Sequence, residues 1–148
     1  MAEVRATASR VIAAPMDRVR RALTDYQEVR PRLLPDAFSA YRVEEGGVGA
    51  GTVFGYHLSA GRRERDYRFR VAQPDPDTVV EDDLASTLVT TWRLRPQPPG
   101  TDVAVSVAWQ GAGGVGGFFE RTFAPRALQR LYAEVLARLD AQVTERAG

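Results

Sequence analysis

Arg126-Ala-Leu-Gln-Arg-Leu-Tyr-Ala-Glu-Val-Leu-Ala-Arg-Leu-Asp-Ala-Gln-Val143 repeats apolar residues at helical steps of three and four: Leu128, Leu131, Tyr132, Val135, Leu136, Leu139 and Val143. On a helix these positions share one side, so the stretch predicts a long amphipathic helix with a single apolar stripe. A stripe of that length needs a surface to cover it. Most of the chain before it alternates with period two, so the surface is an antiparallel sheet, expected to curve around the helix. A bent sheet and one rod meet imperfectly, which predicts a hollow between them for an apolar molecule.

Working outward from the helix, residues 3–12 alternate Val4, Ala6 and Ala8 with Arg5, Thr7 and Ser9, as a half-buried first strand does. Ala13-Ala14-Pro15 ends it. Residues 16–23 put Met16, Val19 and Leu23 on one face and Arg18, Arg20 and Arg21 on the other, a short helix with proline in its first turn. Thr24-Asp25 is expected to start a second short helix through Tyr26 and Val29 that ends near Pro31 and Pro35. Six more strands follow, at 38–43, 52–58, 61–71, 78–84, 87–95 and 103–109, for seven in all. The glycines at 46, 47, 49 and 51 make a turn; because a strand and not a helix follows, they are not a phosphate loop. Residues 111–117, with five glycines, are expected to be a flexible link that gates access together with the 46–51 loop. Phe118 to Phe123 should form a helical turn or two, and Pro125 either restarts or kinks the long helix.

A chain of 148 residues fits one domain, expected over 1–144 with a short polar tail at 145–148. At 44% hydrophobic and 26% charged residues it is neither disordered nor fibrous. Its apolar runs fall far short of the ~20 residues that span a bilayer. The first residues lack a basic and then apolar leader, and there are no cysteines, so a cytoplasmic location is expected. The net charge of +1 is spread along the chain, which argues against a nucleic-acid or anionic-membrane partner. All 20 basic residues are arginine, so lysine Schiff-base chemistry is excluded. The oligomeric state is open between monomer and homodimer.

With one histidine and no cysteine, a zinc site would need three carboxylates around His57, and no helix carries the spacing to supply them. Neither metal nor cofactor is expected. Ser59, Ser86 and Ser106 lie in strand patterns without a nucleophile elbow, which leaves no triad. Strand parity sends either Phe54, Tyr56 and Leu58 inward or Val53, Gly55 and His57; the bulk of the first set favours it and turns His57 to the surface, against a role as pocket acid or base. Arg65 shares parity with Tyr67, Phe69 and Val71. It either holds a ligand oxyanion near the mouth or pairs with Glu64, Asp66 or the acidic strand at 81–83. One carboxylate of that strand, turned inward, would be an arginine partner. His57 and Arg65 are thus the catalytic candidates. The ligand wall is expected from Tyr41, Phe54, Tyr56, Arg65 and Tyr67, continued by Phe69, Trp92, Trp109, Phe119 and Phe123.

The order of strand, two short helices, six strands and long helix resembles the START-like or helix-grip superfamily, in its bacterial polyketide cyclase/dehydrase and lipid-transport branch (SRPBCC). The resemblance is carried by Ser9-Arg-Val-Ile-Ala-Ala-Pro15, Glu44-Glu-Gly-Gly-Val-Gly-Ala-Gly-Thr52, the hairpin from Thr91-Trp-Arg-Leu-Arg-Pro96 to Gly100-Thr-Asp-Val-Ala-Val105, and the terminal helix. It implies an α+β helix-grip fold with a curved seven-stranded antiparallel sheet, two short helices after strand 1, and the long C-terminal helix across the concave face. It also implies a small apolar or amphipathic ligand such as a polyketide, lipid, isoprenoid or quinone. Two alternatives remain. One is a cyclase or dehydratase in which a tyrosine, His57 or Arg65 polarises a carbonyl for aldol closure and water loss; the other is a regulatory or interaction module whose cleft is filled by its own side chains.

Overall fold

Strand alternation governs the architecture. In a computed structural model, which describes residues 3–60, 62–110 and 124–145, seven strands form one antiparallel sheet in the order β1-β7-β6-β5-β4-β3-β2. The strands are β1 (Glu3–Ile12), β2 (Phe38–Glu45), β3 (Val53–Ala60), β4 (Arg63–Asp75), β5 (Thr78–Asp83), β6 (Val89–Gln97) and β7 (Gly100–Gln110). β1 leaves its sequence neighbours to pair with β7, so the first and last strands lie side by side. Consecutive hairpins account for the other neighbours. The glycine link at 111–117, the segment holding Phe119 and Phe123, Gly61 and residues 146–148 lie outside the described residues.

The helices follow from composition and proline placement. Helix α1 (Met16–Leu23) buries Val19 and Leu23 and keeps its arginines outside. The second expected helix is instead a chain of turns followed by a 3-10 helix at Arg30–Leu33. The reason is local: the Asp25 carbonyl accepts from both Val29 N and Arg30 N, and Pro31 favours a tight turn over a longer ladder. Helix α2 (Pro125–Glu145) buries Leu128, Tyr132, Val135, Leu136, Leu139 and Val143. It packs mainly along β1, whose inner residues Ala6 and Ala8 are small enough to let a helix approach. Arg10 Nε donates to Asp140 Oδ2 at 2.7 Å and fixes that approach.

The sheet does not run flat to its far edge. The β2–β3 register shifts between Ser39 and Arg42, where Ala40 takes a φ of 54°, a left-handed conformation that L-residues rarely adopt. Bulges of this kind bend and twist the strand that carries them. Phe38 and Tyr41, on either side of the irregularity, both join the core, so the β2 edge closes over the aromatic residues of β3.

The 46–51 loop, expected from its glycines to gate access, is a clasp. Gly47 O accepts from Tyr26 N at 2.9 Å and Gln27 N at 3.1 Å, Gly49 N donates to Thr24 O at 2.9 Å, and Gly51 N donates to Val71 O at 2.9 Å. Gly46, at φ +70°, also leaves no room for a Cβ, which would stand 3.0 Å from Thr52 Cα. The clasp holds Tyr26 where its hydroxyl reaches the interior.

Candidate functional site

Three neighbouring strands and the 3-10 helix supply the polar part of the interior. On β5, Val79, Glu81 and Asp83 are buried while Asp82 between the two acids faces out, so alternation delivers two carboxylates to the core. Neither is alone. Glu81, 2% exposed, meets Arg30 of the 3-10 helix at 2.9 Å and accepts from the Tyr26 hydroxyl at 2.6 Å. Arg30 also donates to Leu23 O at 3.0 Å, and its guanidinium lies 4.6 Å from the Tyr26 ring centre and 5.0 Å from that of Trp92. Asp83 is matched in the same way by Arg65 Nη2 at 2.8 Å, by Ser86 Oγ at 2.6 Å and by Ala85 N at 3.0 Å.

Burial works to lower the Arg30 pKa, but the Glu81 carboxylate beside it outweighs burial and holds it above its ordinary value. Tyrosines show the opposite balance. Burial, with Glu81 adding to it, pushes the Tyr26 phenol well above its usual value, and burial raises Tyr41, Tyr56 and Tyr132 in turn. Tyr67 is pushed up to about 12 by burial against the opposing pull of Arg65. All five remain neutral phenols at neutral pH, able to donate or accept hydrogen bonds without bringing charge inside.

Between the sheet and α2 these groups surround a cavity of about 10 Å³, walled by Arg30, Glu81, Tyr41, Phe54, Tyr56 and Trp92 and roofed by Leu34, Phe38, Tyr132 and Val135. The broad hollow expected from sheet curvature is therefore corrected: among the described residues, the space holds about one water. Aromatic rings account for the difference. Trp92 meets Tyr132 edge-on at 5.8 Å, Phe38 meets Tyr56 edge-on at 4.9 Å, and Tyr26 and Phe54 approach to 4.8 Å, so rings from opposite sides occupy the centre. A larger depression of about 800 Å³ lies over β1, β7 and β6, lined by outward residues such as Thr7, Ser9, Ala104 and Ser106 and reaching Trp109 and, on α2, Gln129. Among the described residues its lining mixes polar and apolar side chains, unlike the aromatic interior.

Two buried polar atoms of β6 stand out. Among the described residues, Trp92 Nε1 has no hydrogen-bond acceptor, and Thr90 Oγ1 has no partner at good geometry although it lies beside the Tyr132 hydroxyl. Both residues are 0% exposed and share the inward face of the strand. A buried donor left unmatched costs about 1–3 kcal/mol, so the Trp92 indole calls for an acceptor, whether a water or a ligand atom.

Of the residues singled out in the sequence, Tyr41, Phe54, Tyr56 and Trp92 come together around the cavity. From β4, Tyr67 meets Tyr56 at a tilt with ring centres 5.7 Å apart, and Phe69 stacks on Phe54 at 5.3 Å. Arg65 shares their face, but its guanidinium is engaged by Asp83 and by the Tyr67 ring 4.4 Å away. Trp109 is buried farther along β7, opposite Val4 of β1. His57 points to the opposite side of the sheet, where Nδ1 meets Asp66 at 2.9 Å and Nε2 meets Glu64 at 3.4 Å; it does not reach the cavity. Phe119 and Phe123 lie outside the described residues. Sequence reasoning misses Arg30 and Glu81 as individuals, although it does give an inward acid of the 81–83 strand an arginine partner. Among the described residues no three of histidine, aspartate and glutamate converge on a metal-sized point.

A seven-stranded antiparallel sheet gripping a C-terminal helix, with an enclosed aromatic and polar interior, defines a helix-grip protein. Residues 3–144 match the family described as polyketide cyclase/dehydrase and lipid transport, and the chain belongs to it. The chain is 43% identical to the KanY protein, whose solution structure superposes with a TM-score of 0.86 over 97% of this chain and 99% of that one. It is also similar to TTHA0849 from Thermus thermophilus, with 20% identity and a TM-score of 0.76 over 98% of this chain and all 100% of that one. One half of StfQ, a di-domain ARO/CYC of the steffimycin biosynthetic pathway, shares the fold at 18% identity and a TM-score of 0.74, over 99% of this chain and 52% of that one. No curated protein matches the sequence. No helix among the described residues is long and apolar enough to cross a membrane.

Proposed function

We propose that the protein binds one small apolar or amphipathic molecule between sheet and α2, with its polar end at the Arg30–Glu81 pair and its body displacing the rings that now meet in the centre. The observation that carries this reading is the polar content of the interior. A core built only for stability does better with apolar residues than with a buried ion pair, four phenols around it and an unmatched indole. Family membership supports the same reading. Affinity comes mainly from apolar area at about 25 cal/mol per Å², and the polar groups fix orientation.

A second reading draws on one specific observation: Glu81, with the Tyr26 hydroxyl on it, is an acid facing the cavity beside a guanidinium. In a cyclase or dehydratase, Arg30 and a phenol would polarise a carbonyl while the carboxylate took a proton. Turnover of a poly-β-ketone that vanishes in Glu81→Gln, with binding retained, would select this reading.

Native mass spectrometry of the full chain purified from its own host tests the main proposal. The expected spectrum holds one small molecule per chain, lost on organic extraction. Bare mass in every charge state, together with no thermal shift on adding apolar compounds, overturns ligand binding and leaves the filled-cleft module standing.

A further inference from the structure

We propose that the interior site selects an uncharged ligand whose carbonyl oxygen accepts a hydrogen bond from Trp92 Nε1, and rejects the carboxylate of a free fatty acid. The inference rests on the binding function above and names the ligand class for the same site.

Charge balance is the first argument. Arg30 is matched by Glu81 at 2.9 Å and Arg65 by Asp83 at 2.8 Å, so the two guanidinium groups nearest the aromatic wall each already hold a carboxylate. The paired side chains are buried or nearly so, at 7% and 3% exposure for the first pair and 15% and 0% for the second. A ligand carboxylate entering beside Arg30 would place two anions on one guanidinium, far from solvent. Like charges so placed oppose one another, and a buried charge without its own counter-ion is strongly disfavoured.

Hydrogen-bond inventory is the second. Indole nitrogen is a donor and never an acceptor, so the one unmatched group of Trp92 calls for an acceptor atom. Glu81 already takes Tyr26 and Arg30, and the Tyr41 hydroxyl is bound to Tyr26 O at 2.6 Å. A ketone or quinone oxygen meets this demand without carrying charge. A plain hydrocarbon leaves the indole as it is, and an anion brings a charge the site does not balance.

Three probes of matched shape test the proposal on the full chain at neutral pH: methyl naphthyl ketone, isopropylnaphthalene and naphthoate. The ketone is expected to bind at least about tenfold more tightly than either of the others. With two tryptophans in the chain, ¹⁵N spectra show two indole N–H signals; ketone is expected to move that of Trp92 downfield, and isopropylnaphthalene is not. Trp92→Phe keeps a ring and removes the donor, and should erase the preference for ketone over hydrocarbon. The wild-type indole shift carries the test should that variant fail to fold. Naphthoate or isopropylnaphthalene binding as well as ketone, or an unmoved Trp92 signal in the ketone complex, overturns the proposal and leaves ligand binding intact. Failure of all three probes to bind overturns the binding function itself.

Discussion

The inner face of the sheet has two unlike halves. Under α2, β1 and β7 offer Ala6, Ile12, Val103, Val105 and Val107 to Leu128, Val135, Leu139 and Val143, an aliphatic contact with the Arg10–Asp140 pair at its exposed margin. Across β3, β4 and β5 the same strand alternation buries Phe54, Tyr56, Tyr67 and Phe69 together with Glu81 and Asp83, matched by Arg30 from the 3-10 helix and by Arg65 of β4. Both halves are shut off from water, but they depend on different physics. The first gains from area and tolerates any side chain of similar shape. The second holds only while each buried charge has its partner, a restriction that the proposed ligand would have to respect.

The sharpest way to break this comparison is to remove one partner. Arg30→Met leaves Glu81 buried with the Tyr26 hydroxyl alone and is expected to cost about 3–5 kcal/mol in urea unfolding. Pairing it with Glu81→Leu should restore most of that stability while abolishing oriented binding. Leu139→Ala, in the aliphatic half, should cost about 2–5 kcal/mol with no such rescue by a second substitution. If the single Arg30 variant is as stable as the parent, the ion pair is not the closed, buried unit described above.

A gentler probe is alkali. All five phenols have raised pKa values in the folded chain, through burial first. Unfolded tyrosine ionises near about pH 10, so above that pH the unfolded chain loses protons that the folded chain keeps. The stabilising contribution is therefore whole below about pH 10 and disappears as pH climbs through the folded values. Phenolate absorbance should stay flat past about pH 10 and then rise together with the loss of helix signal in circular dichroism. A gradual rise centred near that pH would mean that the aromatic half is open to solvent. The smallest effect is expected outside: His57→Ala, which removes exposed contacts to Asp66 and Glu64, should change stability by no more than about 0.5 kcal/mol and leave ligand affinity unaltered.

Periodicity makes much of this legible. The apolar stripe of α2, the bounds of α1 and the inward set Phe54, Tyr56 and Leu58 all follow from counting residues along an element. The pairing of an inward acid with an arginine follows from the cost of an unmatched buried charge. Which arginine cannot be read, because Arg30 opens the short 3-10 helix after a run of turns from Tyr26, where no period applies and where the path is set by Asp25 and the 46–51 clasp. Cavity size is illegible for a related reason. It depends on how Trp92, Tyr132, Tyr56 and Phe54 meet across the interior, and that distance is a property of several elements together.

Tyr26 joins three of these elements. Its amide is held by Gly47, its carbonyl receives the Tyr41 hydroxyl, and its own hydroxyl rests on Glu81. Pulling on any one of those bonds strains the other two. A ligand seated at the centre, as proposed above, would act through Tyr26 on the glycine loop at the surface, so that loaded and empty states would show different outer faces to any neighbour.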